Sequence, residues 1–216
     1  MLGGPDLSDG ELEAAERYLL LLLYAPGPRG IQGEPIRGDL WLQKELFLVS
    51  RNVEPLLEEF EAYRLGPFSE SVEEYKSQLE ISGYVELTPS GITLTTKGKP
   101  IAQGVWESAD DDDRRLVQEA KSLLNDLSRD ELLALIYSTF EELTVNSDIK
   151  EEIAHKRVEA ALSLFRKQKV TLERAAKIAQ MPLPRFMNLL KRKGIRAVEI
   201  TADELKEELG VASASG

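Results

Sequence analysis

The chain has 216 residues, 42% of them hydrophobic and 30% charged, which is enough apolar material for one large packed domain or two small ones. Lys and Arg number 27 against 38 Asp and Glu, and the net charge of −11, taken whole, argues against a polyanionic partner such as DNA. With no Cys and one His, disulfide frameworks, cysteine nucleophiles and cysteine zinc sites are excluded, and a histidine metal site or Ser-His-Asp catalysis is disfavoured.

The first residues, Met1 to Asp6, lack the basic flank of a secretory signal. Ser8-Asp9-Gly10-Glu11 has the spacing of a capping box, and Leu12, Ala15, Leu19 and Leu22 then share a helical face. The run Tyr18–Tyr24 holds five leucines, but its seven residues fall far short of the roughly 20 that cross a bilayer. A buried helix in a cytoplasmic protein without membrane contact is the expectation. Pro26, Gly27, Pro28 and Gly30 end that helix and open a loop to Gly38. A second helix runs from Asp39 or Leu40 to about Arg51 with Leu42, Leu46 and Val49 inward, and Pro55 to Glu59 reads as a short helical turn.

Phe60 to Leu65 reads as extended and Gly66-Pro67-Phe68 as a turn. Ser71-x-x-Glu74 marks the start of a third helix that buries Val72, Tyr75 and Leu79 and stops at Gly83. Tyr84–Thr88 and Gly91–Thr96 flank Pro89-Ser90 as a β-hairpin. Helices followed by a hairpin is the order of a winged helix. Asp110 to Asp113 fits a helix N-terminus, where carboxylates oppose the positive end of the dipole, better than a metal site; the helix runs to about Leu127. Ser128-x-x-Glu131 is a second capping box, opening a helix to about Glu142.

Charge then changes sign along the chain. Residues 1–149 carry 13 basic and 29 acidic residues, a balance of −16, whereas residues 150–197 carry 13 and 4, a balance of +9. Residues 198–216 return to −4, with 1 basic and 5 acidic. Such asymmetry points to two modules with different partners, divided in the polar stretch Thr144–Asp148.

The basic part opens with a helical pattern over 150–168, with Ala154, Val158, Ala161, Leu162 and Phe165 on one side and Lys156, Arg157, Arg166 and Lys167 on the rest. His155, alone on that helix, suits a surface or capping role. A helix-turn-helix layout follows. Thr171 caps a first helix that packs Leu172, Ala175, Ala176 and Ala179 inward, and Met181 sits in the turn. Pro182 lies near the start of the second helix, and Pro184 is tolerated in its first turn. Leu183, Phe186, Met187 and Leu190 anchor that helix, while Arg185, Asn188 and Arg192 share its outer face until Gly194 ends it. An outward Arg and Asn suit the edges of guanine and adenine, and Arg174, Lys177, Lys191 and Lys193 suit phosphates.

From Glu151 to about Leu209 the chain resembles a small prokaryotic antitoxin family, long uncharacterised, whose members are often encoded beside PIN-domain toxins. The resemblance rests on Ala160–Phe165, Val170–Ala176, Phe186–Leu190, Gly194-Ile195 and the extended piece and acidic helix of Val198–Leu205. Where that family often has Gly and Ser near the turn, Gln180 and Pro182 stand here. The N-terminal part resembles the Panacea (SocA-like) and YwgA-like group through Leu42–Leu48, Phe60–Ser69, Leu94–Gly98 and Tyr137–Ser147. Together these resemblances imply an antitoxin or protein-interaction role, with a toxin as possible basic protein partner, and they name no reaction.

The expected architecture is mainly α. An acidic winged-helix-like domain with a β-hairpin and added helices spans 1–148, a basic helix-turn-helix domain spans 149–209, and a disordered tail spans 210–216. The expected function is a DNA-binding transcriptional regulator of antitoxin type, working as a homodimer on double-stranded DNA, with no cofactor and no catalysis. The third helix of the N-terminal part, rich in glutamates at Glu70, Glu73, Glu74 and Glu80, is expected to face protein rather than DNA. The competing expectation is a protein-interaction adaptor that binds no DNA. No phosphate loop, nucleophile elbow or metal-ligand spacing supports an enzyme.

Overall fold

A computed structural model describes residues 13–195. The capping box at Ser8–Glu11, Leu12, the elements expected in Val198–Leu205 and the tail 210–216 lie outside the described residues. The described chain is mainly helical, with two small antiparallel sheets, and none of its helices is long and apolar enough to cross a membrane.

Helix α1 (Ala14–Tyr24) runs through the centre of the first core. Its leucines at 19, 20, 21, 22 and 23 are all buried, because α1 meets neighbours on every side rather than on one face. A helix that is apolar all round belongs inside a fold. Helix α2 (Asp39–Ser50) buries Leu42, Leu46 and Val49 as its spacing predicts, and α3 (Glu54–Leu57) is a single turn.

Strand β1 (Glu61–Tyr63) pairs with β2 (Gly66–Phe68), so Gly66-Pro67-Phe68 is a strand and the chain reverses at Arg64-Leu65 instead. Gly66 takes a φ of +84°, the left-handed conformation a tight reversal asks for, which explains why this glycine signals a turn. Helix α4 (Glu70–Ile81) is capped by Ser69, whose hydroxyl accepts from the Val72 amide at 3.2 Å, and not by Ser71. Val72 and Leu79 are buried, but Tyr75 is only half-buried and Lys76 takes an inward position.

The hairpin of β3 (Val85–Thr88) and β4 (Gly91–Leu94) forms where expected, and Ile36 adds a bridge to Ile92 through backbone bonds of 2.9 and 2.7 Å. Helix α5 (Gly98–Ser108) has no counterpart among the sequence expectations. Gly98, Pro100 and Gly104 conceal it, since each lowers helix propensity, yet Ala102 and Val105 bury against α1.

Helix α6 (Asp111–Leu124) starts as its aspartates indicate and stops three residues short of Leu127. Asp110 caps it by accepting from the Asp113 amide at 2.7 Å. Asp113 accepts from Arg17 and the Tyr18 hydroxyl at 2.8 and 2.5 Å, and Asp111 and Asp112 pair with Arg114 and Arg115. Helix α7 (Arg129–Thr139) opens on the capping box of Ser128 and Glu131. It ends before Glu142, because Phe140 leaves the helical conformation and sets its ring edge-on to Phe47 at 4.8 Å; a 3-10 turn at Glu141–Thr144 follows.

Helix α8 (Lys150–Arg166) buries Ile153, Ala160, Ala161, Leu162 and Leu164. Val158 and Phe165 are half-buried, but Ala154 is exposed, because packing against α7 rotates the buried stripe toward Ile153. Helices α9 (Leu172–Ile178) and α10 (Leu183–Arg192) complete the described chain.

Apolar packing divides the molecule elsewhere than charge does. One cluster gathers α1 to α5 with most of α6, and the second runs from Leu124 through α7 to Leu190. The acidic α7 thus shares a core with the basic α8–α10. The two clusters are tied at the α6–α7 junction. Asn125 accepts from the Arg37 amide at 3.0 Å and donates to the Pro35 carbonyl at 2.8 Å, while the Leu127 carbonyl accepts from Arg37 and Trp41 at 2.7 and 3.0 Å.

Candidate functional site

The outward surface of α9 and α10 holds most of the residues singled out from sequence. Thr171 caps α9 by accepting from the Arg174 amide. Ala175, Ala176 and Ala179 are buried with Leu172 half-buried, and the small side chains let α10 and α8 approach. Gln180 turns the chain with a φ of +50°. The Met181 amide then reaches back to the Ala176 carbonyl at 3.0 Å, and Gln180's own amide to Lys177 at 2.9 Å, which is the double bond of a Schellman end. A non-glycine residue in this conformation is strained. Arg157, reaching across from α8, donates to the Gln180 side-chain oxygen and holds it there.

Pro182 stands at the N-cap position of α10 and Pro184 falls in its first turn, where a missing amide costs no helical bond. Phe186 and Leu190 are fully buried, with Leu183 and Leu189 half-buried against the same core and Met187 also half-buried. That fixes the rotation of α10 and sends Arg185, Asn188 and Arg192 to the opposite side, all exposed. Gly194, at φ +67°, closes the helix, and the Ile195 amide bonds the Leu190 carbonyl at 3.0 Å.

The cations of this part fall into two groups. One group bolts the basic helices to their acidic neighbours. Lys167 pairs with Glu131 at 2.8 Å, Lys169 with Asp126 at 3.0 Å, and Lys156 with Asp130 at 3.2 Å, while also pairing within α8 with Glu152 at 2.9 Å. Burial alone would raise the Glu131 pKa, but Lys167, Ser163 and the Ser128 amide hold it below the ordinary carboxylate value. Arg174 belongs partly to this group, since it donates to the Thr139 hydroxyl of α7, and Lys193 lies 3.4 Å from Glu159. His155 is exposed and its Nδ1 lies 2.7 Å from the Glu151 carbonyl.

The other group is exposed and makes no ion pair among the described residues; on α8 it consists of Lys150 and Arg166, and on α9 and α10 of Lys177, Arg185, Lys191 and Arg192. With Asn188 those on α9 and α10 form a surface of flexible cations and one amide. Such a surface can neutralise phosphates and present a bidentate donor–acceptor group.

Sequence reasoning missed the charged residues inside the first core. Lys44, Glu45 and Lys121 are 2%, 0% and 0% exposed. The available signal was Gln43-Lys44-Glu45 set within the apolar run of α2, where three consecutive polar positions cannot all face outward from a helix with core on several sides.

Comparison with known proteins bears on the same end of the chain. Residues 130–213 match the model of the Uncharacterised protein family (UPF0175). A "UPF0175 protein" from Aeropyrum pernix is 39% identical over 64 residues, covering 30% of this chain and 77% of that protein. No solved structure matches. The matched stretch begins at Asp130, inside α7, and so includes the helix that shares a core with α8–α10.

Proposed function

The chain belongs to the UPF0175 family through its C-terminal part, and we propose that it is a DNA-binding transcriptional regulator of antitoxin type, with α9 and α10 as a helix-turn-helix. The observation that carries this reading is the set Lys177, Arg185, Lys191 and Arg192, exposed around Asn188 and without acidic partners among the described residues. In this reading α10 enters the major groove. Arg185, Asn188 and Arg192 meet base edges, Lys177 and Lys191 meet phosphates, and Arg174 and Lys193 exchange their present partners for phosphate. A homodimer spaces two such helices over two half-sites.

The acidic body is read as a winged-helix-like module turned toward protein. Its α4 exposes Glu70, Glu74 and Glu80, and its one lysine, Lys76, is buried and paired with Asp39 and Glu73 at 2.6 Å each. That face repels phosphate and suits a basic partner such as a toxin. The alternative role, an adaptor that binds no DNA, differs in one measurable respect. Fluorescence anisotropy of the full chain on duplex DNA from its own promoter, at about 50 and 200 mM salt, is expected to show binding that weakens steeply with salt. No binding at either salt would leave the adaptor reading in its place.

A further inference from the structure

Helix α2 carries a lysine whose surroundings are incomplete. Lys44 lies at the middle of the helix, and its ammonium donates to the Pro67 carbonyl of β2 at 2.6 Å. Among the described residues that is one partner for a group with three protons, and the partner bears no charge. Beside it opens a cavity of about 410 Å³, within the range of small-molecule sites, bounded by α2, the β1–β2 hairpin and the residues leading into α8. Leu40, Leu65, Phe68 and Ile149 give it apolar walls.

The carboxylates at the rim are already engaged. Asp39 and Glu73 both accept from Lys76 at 2.6 Å, and Asp148 accepts from Arg64 at 2.7 Å. Lys44 is therefore the cation of the cavity without an anion of its own among the described residues. An ammonium held this way is costly, and an unbranched apolar side chain would fill the space at less cost. The price shows in its proton affinity, which burial pulls down to about 7.

We propose that this cavity binds a small organic carboxylate, its anionic head on Lys44 and its apolar part against Leu40, Leu65 and Phe68. The acid supplies the charge that the fold leaves out, and the apolar walls favour a hydrocarbon tail over a fully hydrated anion. Inorganic phosphate fits the charge but not the walls.

Octanoate, benzoate and inorganic phosphate serve as probes on the full chain, by titration calorimetry and by NMR of ¹³C-labelled lysine. Octanoate or benzoate is expected to bind one per chain and to raise the titration midpoint of Lys44 by about one pH unit or more. Binding should weaken by about tenfold or more between pH 6 and 9, as Lys44 loses its proton. The other charged groups facing the cavity are Asp39, Glu73, Asp148 and Arg64, with the Tyr63 hydroxyl beside them. Lys44→Met should lose affinity by about tenfold or more and phosphate should bind neither protein. The proposal is overturned if neither acid saturates up to about 10 mM, or if binding leaves the Lys44 midpoint unmoved. Equal affinity in Lys44→Met overturns it as well, and the midpoint shift in the wild-type chain decides the matter without any variant.

Discussion

The first core and the α7–α10 core handle charge in opposite ways. Around α1 and α2 the charges are inside. Lys121 is fully buried and donates to the Leu22, Leu23 and Ala25 carbonyls at 2.9, 3.3 and 2.9 Å, the orphan acceptors at the end of α1. Glu45 is fully buried with neither carboxylate oxygen hydrogen-bonded among the described residues; burial pushes its pKa well up, and Lys121 pulls against it. Around α8–α10 the charges are outside, some held in ion pairs with α7 and the segment before it and the rest left to solvent. Buried charge acts on the fold, through desolvation and carbonyl caps, whereas exposed charge is worth little to stability and is available to a partner. The net charge of −11 sums over both kinds and describes neither.

This contrast predicts that mutations of the inner charges change folding and mutations of the outer ones change binding. The largest effect belongs to Lys121→Ala. It strips the end of α1 of its donor and leaves Glu45 without a counter-charge, at a cost on the order of 3–5 kcal/mol in urea unfolding. A loss below about 1 kcal/mol would mean that the buried lysine does not hold α1.

Next comes the pH dependence tied to Lys44. Its folded pKa of about 7 lies below the ordinary 10.5, so the unfolded chain binds the extra proton between those values. Stability from this group therefore rises as pH increases from about 7 to 10.5, by a few kcal/mol in order of magnitude. Lys44→Met should remove that rise relative to wild type, which thermal unfolding at a series of pH values will register. Parallel profiles would show that Lys44 is not desolvated.

Arg185→Ala and Asn188→Ala should each cost about 1–3 kcal/mol at one base position and leave unfolding nearly unchanged. Competition with single-base operator variants checks this; uniform loss over all sequences would assign both residues to phosphate. The smallest effect is on the turn. Gln180→Gly should stabilise by roughly 0.5 kcal/mol, relief of the left-handed conformation outweighing the lost Arg157 contact. Destabilisation would show that the cross-helix contact dominates.

Much of the second core was legible in the sequence because its rules are local. Thr171 and Ser128 cap where their spacing says, and the alanines of α9 and the Phe186–Leu190 pair of α10 bury on schedule. The first core was less legible because tertiary packing overrides those rules. Surrounded on all sides, α1 and α2 have no polar face to show periodicity, so Lys44 and Glu45 are buried within an apolar run. Helix α5 forms despite two glycines and a proline because α1 offers it a face. The exposed positions of Arg185, Asn188 and Arg192 could be read from the helical period, but the engagement of Arg174 with Thr139 could not, since α7 lies 35 residues away.

The most direct test of the outward charge as a DNA surface is the salt dependence of binding by the full chain. Wild type and the Lys177→Ala, Lys191→Ala and double variants would be titrated onto one duplex from about 50 to 200 mM salt. Log affinity is expected to fall linearly with log salt, with a slope made shallower by about one for each lysine removed and unfolding unchanged. Slopes that stay equal across the variants, or a wild-type chain that binds no duplex at any salt, would contradict it.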